Sequence, residues 1–317
     1  MKDDANWTCK LREMSAHQNQ SIIDIDGVKS NSPLFSVLIA NYNNGQYLEE
    51  CLQSVYKQTY TNWEIVIVDD GTTDSVSKKI YTTLKDNPKI RVFFNKKNMG
   101  CGYTKRRCVA EAKGTICGFL DPDDTITATA IEVMIKTHLQ YPNISLAYSK
   151  HYVCDENLEI KMSQSYSRQI PNHLSHLIFP GISHFATFKL SYYKKTSGIN
   201  PNIKRAVDQD LYLKLEEVGK TLFINKFMYY YRQHSSGIST HGNELKAEYW
   251  SWLTKIDAAR RRNIDLEDAF KAFYSERFKG QRQQILNTNN YKLGKFILSP
   301  IRQIKKILND LHRNNRP

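Results

Sequence analysis

From Phe35 onward the chain sets short apolar runs against amphipathic stretches in a regular rhythm. Phe35-Ser-Val-Leu-Ile-Ala40 is almost continuously apolar. Polar Asn41-Tyr-Asn-Asn-Gly45 follows, and then Leu48, Cys51, Leu52 and Val55 recur at three- and four-residue steps. This order predicts a strand, a loop and a helix. The rhythm repeats three times: Glu64–Val68, a turn at Asp69-Asp-Gly71 and a helix to about Leu84; Ile90–Phe94, Asn98-Met-Gly100 and a helix to Ala112; and Ile116–Leu120, which ends on Asp121. Four strands alternating with helices predict right-handed βαβ units. The expected fold is therefore α/β, a mostly parallel sheet covered by helices on both faces, with polar ligand-binding loops at the carboxyl ends of the strands.

Past Leu146 the alternation weakens, and the segment to Phe188 mixes short strand-like pieces with His, Ser and aromatic residues. Asp208–Leu215 predicts one more helix and Phe223–Tyr231 one more strand. From about Asn243 the pattern is helical, broken near Asn287–Asn290 and at Pro300. Residues 1–32 are polar and weakly patterned. The expected organisation is an N-terminal extension over 1–32, a patterned domain over 33–240 and a basic helical appendage over 241–317.

Composition narrows the class. A chain of 317 residues with 40% hydrophobic and 24% charged residues can bury a substantial core and is not disordered in the main. Its sequence contains no apolar run of bilayer length and no signal-peptide core near the start, which predicts a cytoplasmic protein. The 6 cysteines include no C-x-x-C pair and no zinc-finger spacing, so they read as reduced thiols. The net charge of +13 is uneven: from Lys246 onward 16 Lys/Arg face 7 Asp/Glu. A basic tail implies an anionic partner, either lipid headgroups or nucleic acid. Ile297, Ile301, Ile304, Leu308 and Leu311 recur at steps of four and three while basic residues take the other faces, as expected of an amphipathic helix on an anionic membrane surface or packed against protein.

Several residues carry chemistry. Asp69 and Asp70 end a buried strand, where Asp69 can accept a hydrogen bond from a nucleobase N–H or cap the next helix. Asp121-Pro-Asp-Asp124 gathers three carboxylates at the end of another strand, and a divalent cation relieves their mutual repulsion. Hard oxygen ligands favour Mg2+ or Mn2+, shared with substrate phosphates. Lys105, Arg106 and Arg107 follow a helix start and suit phosphate oxygens or a solvated basic face. Asp208 opens an amphipathic helix, as a cap or as a general base. His234 precedes Ser235-Ser-Gly237, a loop suited to close over a ligand, and is either a structural histidine or a metal or phosphate contact.

In order and spacing these pieces resemble the inverting glycosyltransferases of family 2, which have the GT-A fold. Val37-Leu-Ile-Ala-Asn-Tyr-Asn43, Glu50-Cys-Leu-Gln-Ser-Val-Tyr-Lys-Gln-Thr-Tyr60, Ile65-Val-Ile-Val-Asp-Asp-Gly71, Asn98-Met-Gly100, Phe119-Leu-Asp-Pro-Asp-Asp124 and Asp208-Gln-Asp-Leu211 carry the resemblance, over about Pro33 to Ser239. It implies that Ala40, Asn41 and Tyr42 line a nucleobase pocket, that Asp69 pairs with the base and that Asp121 meets the ribose. Asp70, Lys105 and Pro122 complete the implied donor-binding set, Lys105 standing where the family usually has Arg. Asp123, Asp124 and His234 would hold the metal. Asp208 matches the catalytic base, preceded here by Val207 where the family usually has an acidic residue. Ala40 likewise replaces a more usual Pro.

The implied reaction is transfer of a hexose-type sugar from a nucleotide diphosphate donor, with UDP the family's commonest, to a hydroxyl of a glycan or lipid-linked acceptor in cell-envelope polysaccharide synthesis. The irregular segment before Phe188 is where the acceptor is expected. The enzyme would then work in the cytoplasm or peripherally at the inner face of the cytoplasmic membrane, and the sequence is compatible with an oligomer. Two other readings stay open: a sugar-nucleotide binding module without turnover, and a basic nucleic-acid-binding protein, although no nucleic-acid motif accompanies the charge. A dinucleotide oxidoreductase is excluded, because no G-x-G-x-x-G follows Ala40.

Overall fold

The computed structural model describes residues 32–162, 166–235, 237, 242–289 and 291–293. The extension over 1–31 and the apolar stripe from Ile297 to Leu311 lie outside the described residues. The chain divides into two compact units, Met1–Ile264 and Asp265–Pro317.

In the first unit the elements are β1 (Phe35–Asn41), α1 (Gly45–Tyr56), β2 (Trp63–Asp69), α2 (Ser75–Thr83), β3 (Ile90–Phe94), α3 (Cys101–Glu111), β4 (Ile116–Phe119), β5 (Thr125–Ile126), α4 (Ala130–Gln140), β6 (Ile144–Cys154), β7 (Ile160–Met162), β8 (Ala186–Lys189), α5 (Leu190–Tyr193), α6 (Val207–Val218), β9 (Lys220–Arg232) and α7 (Glu244–Arg261). The second unit contributes α8 (Leu266–Asn287), opened by Asp265, whose carboxylate caps the backbone N–H groups of Glu267 and Asp268. Among the described residues no helix is long and apolar enough to cross a membrane.

All nine strands form one sheet, in the order β3-β2-β1-β4-β8-β6-β9-β5, with β7 added to the far end of β6. The strands read from the alternating pattern, β1 to β4, pair in parallel. Every residue of β2 is buried, as a central strand covered on both faces requires. Its two faces feed separate cores. Val37, Ile39, Ile65 and Ile67 meet Leu48 and Leu52 of α1 and Ile131 and Met134 of α4. Leu38, Val66 and Val68 meet Cys108 of α3 and Leu211 and Leu215 of α6. Truncating one such fully buried aliphatic side chain to Ala costs about 2–5 kcal/mol.

Beyond β4 the sheet changes character. β8 runs antiparallel to both β4 and β6, β9 runs parallel to β6, and β5 pairs antiparallel with β9 through Thr125 and Ile126 opposite Tyr230 and Tyr229. β6 is 11 residues long, although the sequence there reads only as strand-like fragments. Its Ser, Lys and His positions break the apolar alternation because it is covered on both faces and its polar groups find partners: Ser145 donates to the Leu215 and Lys220 carbonyls.

The start of α3 is set by Gly100, whose φ of 93° is a conformation that side-chain-bearing residues rarely adopt. Two residues on, Gly102 permits a close approach: a Cβ there would lie 2.5 Å from the Ile203 carbonyl oxygen and 2.6 Å from that of Asn200. The first turn of α3 therefore lies against the backbone that leads into α6.

Candidate active site

At the ends of β1 and β2, Asn41 and Asp69 share Tyr81. The Tyr81 hydroxyl donates to Asp69 Oδ2 (2.7 Å) and accepts from Asn41 Nδ2 (2.6 Å). Its single proton is committed to the carboxylate, so the Asn41 amide must present its NH2 to the phenol, and its Oδ1 is left buried without a partner. Burial, and then the hydrogen bond to Asp69, push the Tyr81 hydroxyl far above its ordinary pKa. Asp69 Oδ1 accepts from the backbone N–H groups of Gly71 and Thr72. Tyr42, next along from Asn41, is exposed, and Ala40 is half-buried.

Asp70 braces the neighbouring turn. Its Oδ1 accepts from Asn95 Nδ2 (2.7 Å) and Met99 N (2.8 Å), and its Oδ2 from Gly100 N (2.9 Å). The end of β2 and the start of α3 are thus locked together.

The three basic residues of α3 have separate tasks. Arg106 donates to the carbonyls of Ser197 and Ile199, and Arg107 to the Phe94 carbonyl and Asn95 Oδ1, so both brace backbone. Lys105 alone turns to the acidic end of β4. Its Nζ lies 3.0 Å from Asp121 Oδ1 and 2.9 Å from Asp208 Oδ1, with the Phe119 ring centroid at 5.0 Å. Its side chain is 6% exposed, against 29% for Asp121 and 31% for Asp208, so one buried cation holds two half-open carboxylates. Burial works against the ammonium, but the carboxylates of Asp121 and Asp208 outweigh it and hold its pKa well above the ordinary lysine value.

The rest of Asp121-Pro-Asp-Asp124 is bound to β9. Pro122 is buried. Asp123 Oδ2 lies 2.7 Å from His234 Nε2, and the Asp123 carbonyl accepts from Arg232 Nε. Asp124 is fully buried; its Oδ2 accepts from the Tyr229 hydroxyl (2.6 Å) and its Oδ1 from Arg232 N (2.7 Å). Burial, followed by the nearby charges of Asp123 and Asp121, raises the Asp124 pKa well above the carboxylate range. Arg232 also pairs with Glu50, donates to the Glu156 carbonyl and lies 4.5 Å from the Tyr47 ring centroid. His234 packs against the same ring, and its Nδ1 is buried without a partner.

A carboxylate oxygen beside an imidazole nitrogen is a donor set that accepts Mg2+ or Mn2+. Ligand atoms of Asp121, Asp124 and His184 also gather within 4.8 Å of one another. Of the expected metal residues this second group includes Asp124 alone; Asp123 and His234 pair with each other, and His184 is a histidine that the sequence did not single out.

Asp208 stands at the first turn of α6, where the helix dipole favours a carboxylate. Val207, in place of the acidic residue usual in the resembled family, is buried with Leu211 and Leu215. Two residues after Asp208, Asp210 is buried and holds Lys214 Nζ at 2.8 Å and the Asn200 N–H at 2.8 Å. Lys214 also donates to the Gly198 carbonyl. This pair fixes the 198–203 loop, whose Ile203 carbonyl accepts from Gly102 N in α3. Asp208 and Lys105 are brought together in this way. The sequence signal for Asp210 and Lys214 was their i,i+4 spacing; for Tyr229, Arg232 and His184 no local signal exists.

With this geometry in view, comparison with known proteins gives one result. Residues 36–197 match the profile of Glycosyl transferase family 2. A chondroitin synthase of Escherichia coli is 30% identical over 216 residues, which are 68% of this chain and 31% of that protein, so the chain spans under a third of that relative's length. S. aureus TarS residues 1–349, solved in complex with UDP-GlcNAc, superposes with a TM-score of 0.62 at 20% identity over 80% of this chain and 74% of that one. The mannosyltransferase PcManGT of Pyrobaculum calidifontis, solved with GDP-Man and Mn2+, gives 0.52 at 13% identity over 93% and 91%. At these identities the structural likeness establishes the fold.

Proposed function

The chain belongs to Glycosyl transferase family 2 and is a glycosyltransferase, and from that premise we propose that it moves a hexose-type sugar from a UDP donor to a hydroxyl of a glycan or lipid-linked acceptor, with inversion at the anomeric carbon. The observation that carries this reading is the Lys105 ammonium, within 3.0 Å of both Asp121 and Asp208. It links the residue assigned as base to the acidic end of β4. In the reaction Asp208 accepts the proton of the acceptor hydroxyl as that oxygen forms a bond to the anomeric carbon. The bond from that carbon to the nucleoside diphosphate breaks on the opposite face.

Asn41, Tyr42, Ala40 and Asp69 would cradle the nucleobase, with Asp70 fixing the adjoining turn. Asp121 and Pro122 would meet the ribose, and Lys105 the diphosphate. Mg2+ or Mn2+ would be held by Asp123 and His234 with the charge of Asp124 beside them, and would offset negative charge on the leaving diphosphate. The Mn2+ complex of PcManGT and the UDP-GlcNAc complex of TarS support the choice of cation and nucleotide. The chondroitin synthase similarity supports a role in cell-envelope polysaccharide assembly. We take 33–240 as the catalytic domain and the basic region from 241 onward as its appendage. On this reading the enzyme is cytoplasmic, and the appendage rests peripherally on an anionic membrane near a lipid-linked acceptor.

The test is a screen of nucleotide sugars for divalent-cation-dependent release of nucleoside diphosphate. Release from a UDP-sugar that stops with EDTA supports the proposal. Release from no nucleotide sugar, or release indifferent to EDTA, overturns it. For the appendage, equal pelleting with anionic liposomes by the full chain and by a chain ending at Lys292 would refute the membrane contact.

A further inference from the structure

One aromatic cluster adjoins the acidic end of β4. His184, just before β8, stacks on two tyrosines of β9: its ring centroid lies 5.0 Å from that of Tyr229 and 5.1 Å from that of Tyr231, each at an interplanar angle of 12°. His151 of β6 meets His184 and Tyr231 edge-on, at 5.7 and 6.1 Å, and Tyr166 lies 6.0 Å from His151. Tyr229 and His151 are buried and back the cluster, while His184 and Tyr231 are half-buried and Tyr166 is 64% exposed. Among the described residues neither the His184 imidazole nor the Tyr231 hydroxyl has a hydrogen-bond partner.

Its position is set by Asp121. A His184 ring nitrogen is within 4.8 Å of a ligand oxygen of Asp121 and of Asp124. The Asp121 carboxylate is also held by the ammonium that holds Asp208. Asp121 thus links the candidate base to the stacked rings. The rings come from β6, β9 and the residues just before β8, strands on the far side of β4 from the Asn41 and Asp69 end of the sheet.

We propose that His184 and Tyr231, backed by Tyr229 and His151, form the acceptor subsite and bind a pyranose ring, so that the acceptor is a saccharide end. This rests on the glycosyl-transfer reading above. The C–H face of a pyranose is apolar and packs flat on an aromatic ring, while its hydroxyls need donors and acceptors at the rim. The two partnerless polar groups supply these beside stacked rings.

The test uses the full chain with UDP present and chondroitin and hyaluronan tetrasaccharides as probes, with saturation-transfer NMR reading saccharide contact and affinity. The expected result is binding of at least one probe, with transfer concentrated on the hydrogens of one sugar face. Tyr231→Leu and His184→Ala should each weaken it by about tenfold, the magnitude of one aromatic contact. Tyr231→Phe, which keeps the ring, should restore affinity to within a few-fold, and urea midpoints verify that each variant is folded. Unchanged saccharide affinity in both variants overturns the proposal, as does no binding of either probe by the wild type. A weakened UDP affinity in their place also overturns it, because the rings would then belong to the donor site. A wild-type protein that stacks the saccharide yet releases UDP from no donor would sink the proposed reaction and leave the subsite standing.

Discussion

Asp208 and Asp210 stand two residues apart on one helix, and the structure assigns them opposite consequences when changed. Asp210 and Lys214 are 1% and 5% exposed, and the carboxylate holds the ammonium at 2.8 Å while accepting the Asn200 N–H. In Asp210→Asn the ammonium stays buried with the Gly198 carbonyl and an amide oxygen in place of a full negative charge. Removing one partner of a buried pair costs about 3–5 kcal/mol. With a urea dependence of about 3 kcal/mol/M for a unit of this size, the midpoint should fall by about 1 M or more. Asp208→Asn differs, because that side chain is 31% exposed and Lys105 keeps Asp121, so the midpoint should move by about 0.3 M or less. The assay is urea denaturation followed by circular dichroism, run beside nucleoside diphosphate release at low temperature. Replacing both partners, as Asp210→Leu with Lys214→Met, should recover most of the stability, since no unpaired charge is then buried. If Asp210→Asn left the midpoint within about 0.2 M of wild type, the account of this pair as the clamp on the 198–203 loop would be wrong.

The other expectations concern chemistry and pH. Asp208→Asn should lower kcat for sugar transfer by about 10²–10⁴-fold with the donor KM little changed, read from coupled UDP release; near-wild-type transfer would remove Asp208 from the role of base. EDTA should stop release and Mn2+ or Mg2+ restore it, and His234→Ala should raise the cation concentration for half-maximal rate by about tenfold or more; an unchanged cation requirement would place the ion elsewhere. His176 is buried, accepts from Ile182 N and reaches Gln209 Oε1 at 2.9 Å, and burial lowers its pKa from 6.5 to about 3. The unfolded chain therefore binds one more proton than the folded one between these values, and stability contributed by neutral His176 is present above pH 6.5 and lost as pH falls. Urea titrations from pH 7 to 4 should slope less steeply in His176→Gln, by about 1.4 kcal/mol per pH unit at most, and parallel slopes would refute the assignment.

The first half of the sheet was legible because β1, β2 and β3 are each followed by an amphipathic helix, and β1 and β2 are buried runs that only a covered parallel sheet accommodates. The order of acidic motifs placed Asp69, Asp121 and Asp208 at strand or helix ends, where the structure puts them. The second half was not legible. β6 carries Ser145, Lys150 and His151 in a strand that pairs along most of its length with the sequence-distant β8 and β9, so no local pattern announces it. His184, Tyr229 and Arg232 likewise acquire meaning only through antiparallel pairing of β5 with β9 and β8 with β6. The three basic residues of α3 looked interchangeable, yet only one faces the carboxylates; which one is fixed by the close approach at Gly102.

The acidic cluster itself illustrates how a sequence argument can reach the right place by an incomplete route. Three neighbouring carboxylates repel one another, and from the sequence a divalent cation is the natural relief. The fold already gives each carboxylate its own partner: Asp121 has Lys105, Asp123 has His234, and Asp124 has Tyr229 and the Arg232 N–H. Those partners come from α3 on one side and from β9 and the residues just after it on the other, and they converge because β4 is the edge of the parallel β1–β4 set, beyond which β8 runs antiparallel. The carboxyl end of β4 is not capped by a helix leading to a further parallel neighbour; the chain turns back through β5 onto β9. The switch in sheet direction therefore brings Tyr229, Arg232 and His234 to these carboxylates. Asp123 and His234, the residues that would hold a metal ion, already pair without one, so the charge cluster should persist, correctly folded, in the metal-free protein. The cooperative urea transition should accordingly survive EDTA, its midpoint falling by no more than the ion's own binding to the folded state, and a metal-free protein that lost its cooperative transition would show that the ion, and not these partners, holds the carboxylates together.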